Sequence, residues 1–397
     1  MAPPLARRTD SLVQSEIRAI SKQVNDVGGI NLGQGICDMP TPEPIRLAAR
    51  QAIEANKSIY SSYAGIAALR ESIARKSQSY NRIPLDSVEQ IVVSAGSTGA
   101  FTAAALTLLN PGDEVVLFEP YYGYHRQILQ TLGFGLRFAP LVRPGWAIQW
   151  KVLEDAITPA TRAIVVTTPS NPSGKVWSRA DLKRLLSIAD EHDLFVITDE
   201  IYEYMLYDGR EHVSLASLPG AMDRTITISG FSKTFNMTGW RLGYAIAPAP
   251  IADKIGLMND LLYICAPTPL QHGVAGAFDL PESYFSEMIE QYSAKRKLIC
   301  QSLERSGFEF DWPEGAYYVL AGFEPLSRRR SGFDDDAQAC QTLIAEAGIG
   351  TVRGASFFND PDDGRFLLRF CFAKELPILE EACQNLERAF APTRVGT

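Results

Sequence analysis

Lys233 lies in the stretch Ile228–Tyr244, ISGFSKTFNMTGWRLGY, among small, hydroxyl-bearing and apolar side chains that include Phe231, Phe235 and Trp240. A lysine in partly apolar surroundings has a lowered pKa, and its neutral amine can attack a carbonyl to give a Schiff base. A lysine that lays its stem on apolar surface and keeps its amine in water would have similar neighbours. Other polar groups bear on that choice. The run Ala95-Gly96-Ser97-Thr98-Gly99 opens a helix, where free N–H groups suit an anion; it reads equally as a tight capped turn. TTPSNPSGK frames Asn171 between two prolines, either as a rigid loop holding the amide outward or as a plain turn. In TDEIYEY, Asp199 ends an apolar run, where a carboxylate needs a cationic partner or serves as a helix N-cap. Arg241 adds a fixed cation eight residues beyond the lysine.

The elements that must carry these groups alternate. Strands are expected at Gln90–Ser94, Glu114–Phe118, Ala163–Thr168, Leu194–Thr198, Thr225–Ser229 and Leu242–Ala247. A helix follows Ser178 as N-cap, with Asp181 three residues later and Leu182, Leu185, Leu186 and Ala189 along one face. Apolar strands alternating with amphipathic helices make βαβ units and a mostly parallel sheet. In such a sheet ligands gather at the carboxyl ends of the strands, which is where the helix-opening turn, Asn171, Asp199 and Lys233 all fall. An aldehyde cofactor with a phosphate tail and a protonated ring nitrogen would use every one of them.

The last hundred residues differ: a long helix near Ser283–Ser306, short strands near Ala316–Leu320 and Arg365–Cys371, and a terminal helix from about Pro377 to Phe390. The expected organisation is a large α/β domain over residues 46–285, and a smaller α+β domain built from 1–45 and 286–397. Pro40, Pro42 and Pro44 mark the break before a helix near Ile45–Asn56.

With 46% hydrophobic and 21% charged residues the composition is that of a soluble globular chain. A net charge of −8 and the absence of a basic block argue against nucleic acid, since Arg328-Arg329-Arg330 is followed at once by Asp334-Asp335-Asp336. The most apolar helical run, Ala100–Leu109, is too short for a bilayer. The N-terminal MAPPLARRTDSLVQSEIR shows no apolar core of a signal peptide, and six scattered cysteines read as reduced core thiols. The expected compartment is the cytoplasm.

In order along the chain stand NLGQG (31–35), N-P-x-G, D-E-x-Y, S-K-x-x-x-x-T-G-W-R and RFCF (369–372). This ordered set resembles the pyridoxal-phosphate (PLP) enzymes of the class I/II aminotransferase family, fold type I, and within it the kynurenine and glutamine–phenylpyruvate aminotransferase branch. The resemblance implies that Lys233 attaches the cofactor aldehyde and later shuttles a proton. It implies that Asp199 keeps the pyridine nitrogen protonated, while Tyr202 and Asn171 bond the ring's phenolate oxygen. Tyr122, in EPYYGY, would stack on the ring. Ser97, Thr98, Ser232 and Arg241 would hold the phosphate, and Tyr60, in YSSYAG, would reach the phosphate of a partner subunit, making a homodimer with shared sites. Arg369 would grip the substrate α-carboxylate, helped by Asn171 and the backbone N–H of Gly35. One departure is Gly230, where many relatives have a phosphate-contacting serine; Ser229 or Ser232 would replace it.

The implied reaction passes an amino group from an amino acid to a 2-oxo acid. Aspartate-type relatives add a cation for the second carboxylate, but Ile255–Ala294 contains neither Arg nor Lys, and Ser97 stands where some of them carry lysine. An aromatic, large apolar or amide donor (Phe, Tyr, kynurenine, Met, Gln) is expected, unless Arg18 or Arg353 supplies the charge. A PLP-dependent β- or γ-lyase would use the same lysine and ring contacts. A PLP-sensing regulator would need an added winged-helix segment, for which fewer than thirty residues precede INLGQG. A catalytically dead homologue is at odds with the presence of Lys233, Asp199 and Arg369.

Overall fold

The computed structural model describes residues 5–9 and 16–391. At its centre is an eight-stranded sheet, in the spatial order Ile91–Ala95, Leu242–Ile246, Thr225–Gly230, Phe195–Asp199, Thr161–Thr167, Glu114–Glu119, Gly135–Val142, Ala147–Ile148. The five strands from Thr225–Gly230 to Gly135–Val142 pair in parallel, and Leu242–Ile246 runs antiparallel to both its neighbours. All six strands expected from the sequence are present with ends shifted by one or two residues. The strands Gly135–Val142 and Ala147–Ile148 were not anticipated, because Arg137 and Pro140 interrupt the apolar run and the pair closes the sheet at its edge.

Helices cover the sheet as the apolar spacing requires. In Arg179–Glu191 the Ser178 Oγ accepts from the Asp181 N–H at 3.0 Å, and the Asp181 carboxylate accepts from the Ser178 N–H at 3.2 Å, closing a capping box. Its buried Leu182, Leu185, Ile188 and Ala189 pack with Val116, Ile164 and Val196 of the sheet. The helix expected at Ala100–Leu109 begins earlier, at Gly96, so Ser97 and Thr98 lie in its first turn with their N–H groups unclaimed by the helix.

A three-stranded antiparallel sheet, in the order Tyr318–Gly322, Leu367–Cys371, Val352–Arg353, packs with the long helix Glu282–Arg305 and the terminal helix Leu376–Phe390. The early strand Ile30–Asn31 pairs in parallel with Ile349–Gly350, and Leu32 and Cys37 join the same core. That core also takes in Ile201, Tyr202 and Met205, which follow the strand bearing Asp199. None of the six cysteines is in a disulfide, and among the described residues no helix is long and apolar enough to cross a membrane.

Leu185→Ala is expected to cost about 2–5 kcal/mol through lost burial and a residual cavity. Ser178→Ala is expected to cost only about 0.5–2 kcal/mol through the lost cap. Urea unfolding followed by circular dichroism ranks the two, and equal losses would contradict the packing described.

Candidate active site

The topology explains why distant residues meet. Three adjacent parallel strands end at Thr167, Asp199 and Gly230, with Thr167 opposite Asp199 in the register. Asn171 follows the first end and Lys233 follows the third. Ile91–Ala95 delivers Gly96, Ser97 and Thr98 to the same edge, and Arg241 stands just before the antiparallel strand Leu242–Ile246, which starts there.

Lys233 Nζ donates to the Gly35 carbonyl at 3.0 Å and lies 5.8 and 5.5 Å from the ring centres of Tyr202 and Tyr317. Burial is the chief cause that lowers its pKa; the Arg369 guanidinium works in the same direction, while Cys37, Cys371 and Asp199 oppose it. Tyr317 donates to the same Gly35 carbonyl at 3.0 Å, and the Tyr202 and Tyr318 hydroxyls are 3.0 Å apart. A side chain at position 35 would collide with the Tyr318 hydroxyl, so glycine is required there. Burial raises the Tyr202 hydroxyl well above its ordinary pKa, so it stays protonated and able to donate.

Asp199 is buried, with Oδ2 at 3.0 Å from His125 Nε2 and Oδ1 accepting from the Ile201 N–H at 3.2 Å. The His125 ring stacks on Phe101 at 4.3 Å and meets Tyr122 edge-on at 5.1 Å. Tyr122 is therefore beside Asp199, and burial, chiefly, raises its hydroxyl pKa.

Arg369 is buried and sandwiched between Tyr318 and Phe357, at 4.4 and 5.2 Å from guanidinium carbon to ring centre. It donates to Asn171 Oδ1 at 2.8 Å and to the Gly33 carbonyl at 2.6 Å, while its Nε is buried with no partner. Among the described residues no carboxylate pairs with this guanidinium. It can accept one from outside.

A cradle of backbone lies at the helix start. Gly96 has φ +75, and a Cβ there would come within 2.6 Å of Arg241 Nη2; a Cβ on Gly243 would come within 2.4 Å of the Ser97 nitrogen. Arg241, itself left-handed at φ 56, points an exposed guanidinium over this turn, and buried Ser232 stands one residue before Lys233. Ser229 is turned away, its hydroxyl donating to Glu203 Oε1 at 2.8 Å. Of the two serines the sequence offers in place of a serine at 230, Ser229 is thus already engaged elsewhere.

Helix N–H groups, arginine and serine suit a phosphate, a buried carboxylate suits a protonated ring nitrogen, and a desolvated amine suits an aldehyde. The residues present therefore fit PLP. Tyr60 is 75% exposed.

Residues 27–386 match the family model "Aminotransferase class I and II". The chain belongs to that family. It is 33% identical to a probable N-succinyldiaminopimelate aminotransferase of Mycobacterium tuberculosis over 94% of this chain and 95% of that one. It is 28% identical to human kynurenine–oxoglutarate transaminase 1 over 96% and 97%. A solved Escherichia coli structure, described as identifying a methionine aminotransferase function, matches with TM-score 0.92 and 30% identity over 98% of this chain and 100% of that one. This aminotransferase has the α/β fold type I of its structural neighbours, and its cofactor is PLP.

Four groups in the cleft escaped the sequence reading: His125, Tyr317, Tyr318 and Phe357. Only His125 left a signal, as one of only four histidines in the chain and placed just after a strand end.

The lowered Lys233 pKa has a consequence for the apoprotein. Between its folded pKa and 10.5 the unfolded chain binds more protons at this lysine than the folded one, so stability rises with pH there. Lys233→Met removes the penalty. The apo variant is expected to be more stable than the apo wild type near neutral pH, with the gap closing as pH approaches 10.5, as urea unfolding at several pH values would record.

Proposed function

We propose that this aminotransferase uses Lys233 as its covalent attachment point and proton carrier, and takes an amino donor with an aromatic, large apolar or amide side chain. One observation carries the reading: a desolvated amine and a buried arginine, with no carboxylate partner among the described residues, share one cleft at the strand ends.

Bound PLP supplies an aldehyde for the amine and a ring that takes up electrons from the substrate Cα. The chain supplies the rest. Asp199, oriented by His125, holds a proton on the pyridine nitrogen. Tyr202 and the free amide N–H of Asn171 donate to the phenolate oxygen, and Tyr122 backs the ring. Ser97 and Thr98 N–H groups, Ser232 and Arg241 hold the phosphate. Arg369 orients the substrate α-carboxylate, with the Gly35 N–H and Asn171 assisting, so that the Cα proton faces Lys233 Nζ. Lys233 Nζ would take up that proton and carry it between the substrate and the bound cofactor. Its lowered pKa favours the neutral form of the freed amine, the form that can act as a base.

The donor class follows from charge. Arg353, one candidate to meet a second carboxylate, holds Asp336 at 3.1 Å, and the Arg18 side chain lies outside the described residues. An unpaired side-chain carboxylate would be costly to bury, whereas Tyr122, Tyr318 and Phe357 offer apolar rings close to Arg369. The names of the relatives, which differ in donor, leave this choice to the cleft itself.

Exposed Ile59, Tyr60, Leu257, Leu261 and Leu262 support a homodimer in which Tyr60 of each subunit reaches the other's phosphate site. The division into a large unit, 46–285, and a small one, 1–45 with 286–397, is part of the same reading. So is a cytoplasmic setting, which six cysteines outside any disulfide support.

Borohydride reduction of the holoenzyme followed by peptide mapping should place the pyridoxyl label on Lys233; a label elsewhere, or none, overturns the mechanism. A panel of donors against 2-oxoglutarate should rank phenylalanine, kynurenine, methionine or glutamine above aspartate by at least tenfold in kcat/KM. Aspartate ranked first would sink the donor class, and pyruvate with ammonia in place of a new amino acid would mean a lyase.

A further inference from the structure

Behind the turn that carries Asp199 and Tyr202 lies a second polar cluster that touches none of the groups assigned to substrate or cofactor. Lys76 and Glu203 are 5% and 2% exposed and form an ion pair at 2.5 Å. Glu203 Oε1 also accepts from Ser229 Oγ at 2.8 Å, and Oε2 from Asn81 Nδ2 at 2.7 Å. The Tyr80 hydroxyl donates to the Glu203 carbonyl at 2.8 Å. Lys76 Nζ donates to Tyr244 at 3.1 Å and lies among the rings of Tyr80, Tyr204, Tyr244 and Phe278. Asn81 continues to Ser214 at 2.9 Å, and Ser214 and His212 both bond Glu200. Glu200, Glu203 and His212 bring ligand atoms within 4.8 Å of one another, as a metal site would, but the Lys76 ammonium already supplies the cation there.

The arrangement divides one short segment between two tasks. In Asp199-Glu200-Ile201-Tyr202-Glu203, Asp199 and Tyr202 meet His125 and Tyr318 in the cleft, while Glu200 and Glu203 meet the buried cluster. Ser229 lies in the strand Thr225–Gly230, four residues before Lys233. One carboxylate, that of Glu203, therefore adds a side-chain tie between the Tyr202 turn and the strand that delivers Lys233, beyond the backbone bond from the Glu200 N–H to the Ile228 carbonyl at 2.8 Å. A buried ion pair is often no more stable than a well-packed apolar pair of the same volume, so the attachment to Ser229 is the feature that an apolar pair would not reproduce.

We infer that Glu203, held by Lys76, is a positioning residue for the reaction, and that its bond to Ser229 sets the spacing between Lys233 and the Asp199–Tyr202 turn. The inference rests on the roles given above to Lys233, Asp199 and Tyr202.

The test uses holoenzyme. Ser229→Ala cuts the side-chain link and leaves the ion pair and the backbone pairing of the two strands in place. It is expected to leave the unfolding temperature nearly unchanged and to lower kcat about tenfold with the donor KM within about twofold, the pattern of misplaced reacting groups. It should also shift the pH midpoint of the visible cofactor absorbance band. Ser229→Thr, which keeps the hydroxyl, should restore both. A double variant, Lys76→Met with Glu203→Leu, removes the charges as a pair and guards against simple unfolding; it should fold and keep the loss in kcat and the shifted midpoint. Wild-type kcat and midpoint in Ser229→Ala, or in the double variant, would overturn the inference and leave the cluster a packing feature. A wild-type holoenzyme without a visible band would instead count against the cofactor roles themselves.

Discussion

Taking an ammonium group out of water is costly, and the cleft is organised around that cost. Lys233 keeps one hydrogen bond, to the Gly35 carbonyl, and otherwise meets aromatic faces and thiols. Stabilising the charged form more strongly would need a close carboxylate, and the nearest candidate, Asp199, is engaged with His125 at 3.0 Å. Arg369 adds a second positive charge that favours the neutral amine. Burial and a neighbouring guanidinium thus act together, against the opposing pull of Asp199 and the two thiols.

These groups can share a cleft because of the sheet. Parallel strands bring successive loops to one edge, and the reversed strand Leu242–Ile246 lets Arg241 approach the same edge from its N-terminal side. Glycines 96 and 243 permit that approach, since a Cβ at either would strike Arg241 or the Ser97 nitrogen. The small antiparallel sheet contributes from the opposite side: Arg369 comes from Leu367–Cys371 and Tyr318 begins Tyr318–Gly322. Neither sheet holds a complete set of groups.

What the sequence revealed depended on how local the cause was. The Ser178 cap and the apolar face of Arg179–Glu191 depend on residues a few positions apart, and both were legible. Lys233, Asp199 and Asn171 could be grouped because each follows an apolar strand. The partners were a different matter. His125 and Asp199, or Tyr202 and Tyr318, are far apart in the chain and meet only through packing. Ser229 could be read as a phosphate ligand or as structure from its position alone; the distant Glu203 decides its hydrogen bond. The strand Gly135–Val142 was missed because a sheet-edge strand tolerates the arginine and proline that weaken its apolar pattern.

The Gly33–Gly35 segment is fastened at both ends by groups with other work to do. Arg369 holds the Gly33 carbonyl at 2.6 Å, and Lys233 and Tyr317 share the Gly35 carbonyl at 3.0 Å each. Any event that draws the lysine amine aside leaves Tyr317 as the one donor to the Gly35 carbonyl among the described residues. Under the role proposed for Lys233, engaging its amine would halve the hydrogen bonding at this carbonyl, while Asn31 Oδ1 keeps the Gly33 and Gln34 N–H groups at 2.8 and 3.2 Å.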